Sequence, residues 1–218
     1  MPRKDSQEFP TNDAENLFLQ GIHPRKPITE REAGAPAVTD EELIARVNRG
    51  DTTAFETLVN RYRKSALRLA RRFTGRQAGA EDLVQEAFLQ VRLHAHQYKP
   101  EAASFKTWFF TILSNLCRNA IRGNKSLSGA ELPEDAPAID DPEGELARKE
   151  WRSALAAAIA KLTPNQRLAL ILYYEEGFSY AETATALGVS VKAVESLLTR
   201  ARRNLRRELA GCEKKPFD

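Results

Sequence analysis

The chain has 218 residues, 42% hydrophobic and 29% charged, with 33 Lys and Arg against 30 Asp and Glu for a formal net charge of +3. That length holds one medium domain or two small ones, and no apolar run approaches the roughly 18 residues a membrane span needs. The N-terminus MPRKDSQEFP lacks a signal-peptide apolar core, so a cytoplasmic protein is expected, and Cys117 and Cys212, far apart and without CxxC spacing, exclude a disulfide framework.

The charge is unevenly spread: −1 over residues 1–38, +5 over 39–122, −5 over 123–150 and +4 over 151–218. Two basic blocks around an acidic one point to two nucleic-acid-facing modules joined by a linker. Residues 1–38, with prolines at 2, 10, 24, 27 and 36 and no sustained periodicity, read as a flexible arm. At Thr39 the pattern turns helical. Thr39 and Glu42 have capping-box spacing, and this first helix runs to Asn48, where Gly50 and Asp51 break it. A long helix then carries Phe55, Leu58, Val59, Tyr62, Ala66, Leu69, Ala70 and Phe73 on one face and stops near Gly75. A third helix spans about 80–96 and a fourth about 105–122, with the loop QYKPEAAS between them.

Residues 123–145 (GNKSLSGAELPEDAPAIDDPEGE) are rich in Gly, Pro, Ser and acid, the composition of a linker. Helical pattern resumes at Leu146. Thr163, Pro164 and Gln166 mark another helix start, and Ser179 with Glu182 a further one. No strand-like alternation and no repeat occur. The expected fold is all-α, with two helical lobes at 39–122 and 146–210 joined by the flexible acidic linker and followed by a short tail, 211–218.

Three stretches carry candidate binding residues. Ser179 to Leu187, Gly188, and a longer helix from about Ser190 have helix-turn-helix layout. At about 100° per residue, Val194, Leu197, Leu198, Ala201 and Leu205 face inward. Lys192, Ser196 and Thr199 lie outward, where a recognition helix reads base edges, and Arg200, Arg203 and Arg207 lie where phosphate contacts position it. A solvated basic helix end would also carry such cations. Glu195 fits DNA only if it accepts from a cytosine amino group.

In AEDLVQEAFLQVRLHAH, Val84, Ala87, Phe88, Val91 and Ala95 form the inner face, leaving Asp82, Gln85, Glu86, Leu89 and Leu93 outside. Either another element of the lobe covers the two leucines or a protein partner does. In the fourth helix, Phe105, Phe109, Ile112, Leu113, Leu116 and Ala120 face inward, with Phe110 also assigned to the core. Thr107, Thr111, Ser114, Asn115, Arg118 and Arg122 face outward, and Trp108 sits on the shoulder. Amide, hydroxyl and basic groups beside aromatics suit unstacked bases.

AFETLVNRY, AEDLVQEAFLQV, FKTWFFTILSNLCRNAIR and KLTPNQRLALILYYEEGFSYAETATALGVSVKAVESLLTRAR, in this order with an acidic linker between, resemble the extracytoplasmic-function class of bacterial RNA polymerase sigma factors over about 40–209. The resemblance implies a transcription initiation factor whose first lobe is sigma region 2 and whose second is region 4. It places Asp82, Gln85, Glu86, Leu89 and Leu93 on the clamp coiled coil of the polymerase largest subunit, and the β flap among the polymerase contacts. It implies recognition and melting of the −10 element by Tyr98, Lys106, Trp108, Thr111, Asn115, Arg118, Asn119 and Arg122. The −35 element falls to Lys192, Ser196, Thr199, Arg200, Arg203 and Arg207. The acidic linker would thread the core enzyme near the RNA path, and an anti-sigma factor is an implied partner. The sequence departs from the family pattern at Glu195 and Leu197, where many relatives carry basic residues, and in the 38-residue arm.

No enzyme site is expected. His94 and His96 lie two apart on a helix and point different ways, a poor metal pair, and His23 stands alone in the arm. No nucleophile with its base and no phosphate-cradling glycine loop is present, so neither cofactor nor metal is predicted. Glu175 and Glu176 read as a solvated helix end. A stand-alone helix-turn-helix regulator is the alternative function, though one reading helix without a dimerisation heptad leaves the first basic lobe purposeless. A protein adaptor using Leu89 and Leu93 is a third reading.

Overall fold

The computed structural model describes residues 38–75, 77–123 and 142–210. The arm at 1–37, residues 124–141 of the expected linker and the tail with Cys212 lie outside the described residues, whereas Pro142 to Glu145, expected as linker, already form the first turn of a helix. Every described element is helical. The first lobe comprises α1 (Asp40–Val47), α2 (Thr52–Thr74), α3 (Gln77–His94) with a 3₁₀ turn at Ala95–Gln97, and α4 (Phe105–Gly123). The second comprises α5 (Pro142–Ala160), α6 (Pro164–Leu170) running into a π-helical turn at Ile171–Glu175, α7 (Tyr180–Leu187) and α8 (Val191–Leu209).

Helix starts follow the local chemistry. Thr39, Thr163 and Ser179 each close a capping box, with Glu42, Gln166 and Glu182 returning to the cap backbone. These pairs satisfy N–H groups that a helix N-terminus leaves orphaned. Asp51 caps α2 by accepting from the Ala54 N–H at 3.0 Å. Gly75 ends α2 and Gly188 ends α7 with φ of +69° and +66°, left-handed conformations that a side chain resists.

The inner face of α3 is buried as its periodicity predicts: Val84, Ala87, Phe88, Val91 and Ala95 all lie in the core. Tyr62 on α2 meets Phe105 and Phe109 of α4 with ring centroids 5.4 and 5.5 Å apart, and Phe88 stacks on Phe109 at 4.9 Å. In the second lobe α8 closes over α5, α6 and α7, burying Val194, Leu198, Ala201 and Leu205.

The two lobes are not separate bodies. Their buried side chains form one continuous core, and α4 packs along α7 while α2 meets α6 and the π turn. Phe110 of α4 meets Phe178 edge to face at 5.4 Å. This packing corrects the outward placement of Thr107 and Ser114, which are 2% and 0% exposed. Periodicity shows one apolar stripe on α4, whereas the second lobe covers a further strip of it. Cys117 is also buried, on the inward face beside Leu113.

Glu175 and Glu176 require a second correction, since both are buried rather than solvated. The π turn, marked by the Glu176 N–H donating to the Ile171 carbonyl at 3.1 Å, inserts an extra residue and turns both carboxylates toward α2. Arg72 Nε lies 2.8 Å from Glu175 Oε2, and Arg68 donates through Nε and Nη2 to Glu176 Oε1 at 3.2 and 2.8 Å. Helix ends are also capped across the boundary. Arg167 donates to the Phe73 carbonyl at 2.6 Å, and Arg118 to the Leu187 carbonyl at 3.0 Å. Each cation meets the negative end of a helix that has no further N–H to offer.

Candidate nucleic-acid interface

α8 turns its polar face to solvent. Ser190 caps it by accepting from the Ala193 N–H at 3.2 Å, and the left-handed turn at Gly188 aims its N-terminus away from α7. Lys192, Ser196, Thr199, Arg200, Arg203 and Arg207 are all exposed, as their positions predict. Arg207 lies 3.6 Å from Glu208, which also binds Lys161 at 2.5 Å. These cations, with the Lys161 bond first, hold the Glu208 carboxyl below its usual range. Leu197 is partly buried against the core, so this departure from the family pattern serves packing.

Arg202 turns inward, donating to the Tyr174 hydroxyl at 2.7 Å with its guanidinium over that ring. Val191, at the first helical position, is 43% exposed and was not among the expected site residues. Its signal in the sequence was an apolar residue just after an N-cap, three before Val194 and seven before Leu198, which periodicity puts at the edge of the inward stripe although the structure leaves it exposed.

On α4 the expected residues divide into two groups. Asn115, Asn119 and Arg122 are exposed, and Thr111 is half-buried, with its hydroxyl donating to the Thr107 carbonyl at 2.8 Å. Trp108 is half-buried against Tyr98 and Phe105, at 5.3 and 6.0 Å between rings. Tyr98 is anchored by its hydroxyl between Glu41 and the Ala103 carbonyl, and burial first, then the Glu41 charge, push its phenol up to about 12.

Lys106 and Arg118 are committed to the second lobe. Lys106 Nζ donates to the Glu176 carbonyl at 2.7 Å and lies 4.7 Å from the Phe178 ring centroid. Burial holds its amine below the ordinary lysine value, opposed by Glu176 and Glu182. Arg118 spans from Asn115 to the Leu187 carbonyl. In this arrangement neither cation is available to a nucleic acid.

The outer face of α3 is open. Leu89 is 48% and Leu93 55% exposed, so no other described element covers them. Asp82 and Gln85 are exposed beside them, and Glu86 is half-buried, accepting from Gln90 at 2.6 Å. Two leucines flanked by acids one turn apart form a small apolar contact with a charged rim. Among the described residues no three His, Cys, Asp or Glu cluster as metal ligands, and no helix is long and apolar enough to cross a membrane.

Comparison with known proteins bears on these surfaces. Residues 58–127 match the model of sigma-70 region 2, and residues 152–205 that of sigma-70, region 4. The chain is 33% identical over 174 residues to the RNA polymerase sigma-H factor of Pseudomonas aeruginosa, covering 75% of this chain and 90% of that one. It is 33% identical over 171 residues to the ECF RNA polymerase sigma factor SigM of Mycobacterium tuberculosis, covering 78% and 85%. With the ECF RNA polymerase sigma-E factor of Escherichia coli it shares 31% over 180 residues, covering 76% and 91%. Among solved structures, CnrH in complex with the cytosolic domain of CnrY superposes with a TM-score of 0.59 at 28% identity, covering 78% of this chain and 97% of that one. The sigma factor RpoE of Bartonella quintana, bound to the anti-sigma factor NepR, shares the fold with a TM-score of 0.58 at 24% identity, covering 72% and 97%.

Proposed function

The chain belongs to the extracytoplasmic-function class of the sigma-70 family and is a transcription initiation factor; from that premise we propose how its surfaces divide the work. The chain carries no catalytic step of its own and acts in the cytoplasm as the specificity subunit of RNA polymerase. Residues 39–122 act as region 2, 146–210 as region 4, and 123–145 as the linker between them. The outer face of α3, with Asp82, Gln85, Glu86, Leu89 and Leu93, docks the clamp coiled coil of the polymerase largest subunit. The second lobe meets the β flap.

Promoter DNA engages two surfaces. α8 enters the major groove of the −35 element, with Lys192, Ser196 and Thr199 at base edges and Arg200, Arg203 and Arg207 on phosphate. α4 and the loop before it take the −10 element. Asn115, Asn119 and Arg122 meet the melted strand directly, with Thr111, Trp108 and Tyr98 behind them. Lys106 and Arg118 join once the second lobe moves off α4. The closed arrangement therefore represents the free protein, and polymerase binding separates the lobes. An anti-sigma factor, of the kind bound to RpoE of Bartonella quintana, would hold the protein inactive.

The observation that carries this reading is the outward basic face of α8 behind a positive-φ glycine turn, on a chain whose other lobe leaves Leu89 and Leu93 uncovered. Its test is promoter-DNA binding by the purified protein with and without bacterial core RNA polymerase. Tight, sequence-specific binding with core alone is the expected result. Equally tight binding without core would make the protein a stand-alone regulator.

A further inference from the structure

The acidic side chains of α8 differ in one respect. Glu208 is neutralised by Lys161 and Arg207. Glu195 is exposed and, among the described residues, forms no ion pair, although Lys192 stands three positions before it. It lies one turn into the end of the helix that enters the groove, surrounded by Lys192, Ser196 and Thr199. A bare carboxylate carried toward two phosphate backbones is repelled unless it finds a donor there.

The major groove offers two exocyclic amino donors, and they differ in what lies beside them. Adenine N6 sits next to the N7 acceptor, which opposes a second carboxylate oxygen. Cytosine N4 sits next to the apolar C5 edge. What lies beside Glu195 on the protein is also apolar. Val191 is four residues before it and hence one turn back on the same strip of α8, and it is one of few large hydrophobic side chains left exposed among the described residues. An apolar side chain at the tip of a reading helix matches the methyl group of thymine. Carboxylate beside branched aliphatic on the helix thus complements amino group beside C5-methyl along a run of pyrimidines.

We infer that α8 selects a cytosine through the Glu195 carboxylate and a thymine within one base step of it through Val191, so that the −35 element of this protein carries an adjacent C and T at the position facing the N-terminal turn of α8. This deepens the proposed region 4 role and rests on it.

The experiment uses holoenzyme reconstituted from bacterial core polymerase and the full chain, challenged with a library of promoters randomised over the −35 element. Wild type should favour cytosine at one position by about 10-fold, the usual cost of one mismatched pair. Glu195→Ala should flatten that position and leave preference elsewhere intact. Glu195→Gln should shift it to adenine, whose N6 and N7 suit an amide. Replacing the neighbouring thymine by uracil, which removes only the methyl, should weaken wild type several-fold and Val191→Ala not at all. Stronger binding of Glu195→Ala to every promoter alike would overturn the inference, because Glu195 would then be a solvated acid that merely repels phosphate. A wild-type holoenzyme that starts transcription without any −35 preference would overturn the region 4 role itself, a result distinguishable from the first.

Discussion

Glu176→Gln removes one charge from the seam between the lobes and leaves its shape. Glu176 is 8% exposed and its Oε1 receives both Nε and Nη2 of Arg68. Breaking a fully buried ion pair costs about 3–5 kcal/mol, because the remaining charge is stranded. Arg68 keeps some access to water, with 18% of its side chain exposed, so about 2–3 kcal/mol is the reasonable share here. The partners belong to different lobes, so the stranded guanidinium can recover water by lobe separation without either lobe unfolding. That free energy multiplies the open population by about 30- to 150-fold. The assay is the distance distribution between spin labels at two exposed sites, Asn60 on α2 and Arg203 on α8, read beside the thermal midpoint. A broadened, longer distance with a nearly unchanged midpoint is expected, and Arg68→Met should add little once Glu176→Gln is present. An unchanged distance with a lowered midpoint would refute the reasoning, since the pair would then support the folded body as a whole.

Three further outcomes follow from the described geometry. Glu86→Lys combined with Leu89→Asp should abolish core-polymerase binding by pull-down while circular dichroism stays unchanged, because Leu89 is 48% exposed and supports nothing inside the chain. Cys117 is a thiol pushed by burial from 9.0 to about 12. A raised pKa contributes stability fully present below pH 9 and lost as pH rises toward 12, so the urea midpoint should fall between pH 8 and pH 10.5 more steeply for wild type than for Cys117→Ala. At Gly188, φ is +66° and an added Cβ would meet nothing within 4 Å. The penalty there is backbone strain alone, so Gly188→Val should lower stability by about 1–2 kcal/mol in denaturant titration and Gly188→Asn by less.

Helix starts were legible because their chemistry is local. Thr39, Thr163 and Ser179 announce caps within three residues, and the structure shows each box closed. The exposed face of α8 was legible for the same reason, since a single apolar stripe of Val194, Leu198, Ala201 and Leu205 fixes what must point away. The seam was not legible. Glu175 and Glu176 look solvated when judged by their neighbours in sequence, because their partners Arg72 and Arg68 lie about a hundred residues away on α2. Thr107 and Ser114 misled in the same way, for small hydroxyl residues serve a close helix contact as readily as they serve solvent. The commitment of Lys106 and Arg118 to Glu176 and Leu187 depends on lobe packing, which no periodicity encodes.

The π turn at Ile171–Glu175 has a consequence for how this chain tolerates insertion and deletion. A single extra residue in a helix advances everything beyond it by about 100° and 1.5 Å. The wide turn absorbs such a residue, because the Glu176 N–H reaches back five positions to the Ile171 carbonyl where an ordinary helix reaches four. Removing Tyr173 would let the same two groups pair as ordinary helix and leave Glu175, Glu176 and Phe178 facing the first lobe much as before. Removing a residue within α6 ahead of the turn has no such slack to draw on, and would rotate both carboxylates away from Arg72 and Arg68. The turn is therefore the place in this helix where the chain can change its length by one residue and keep the phase between its two halves.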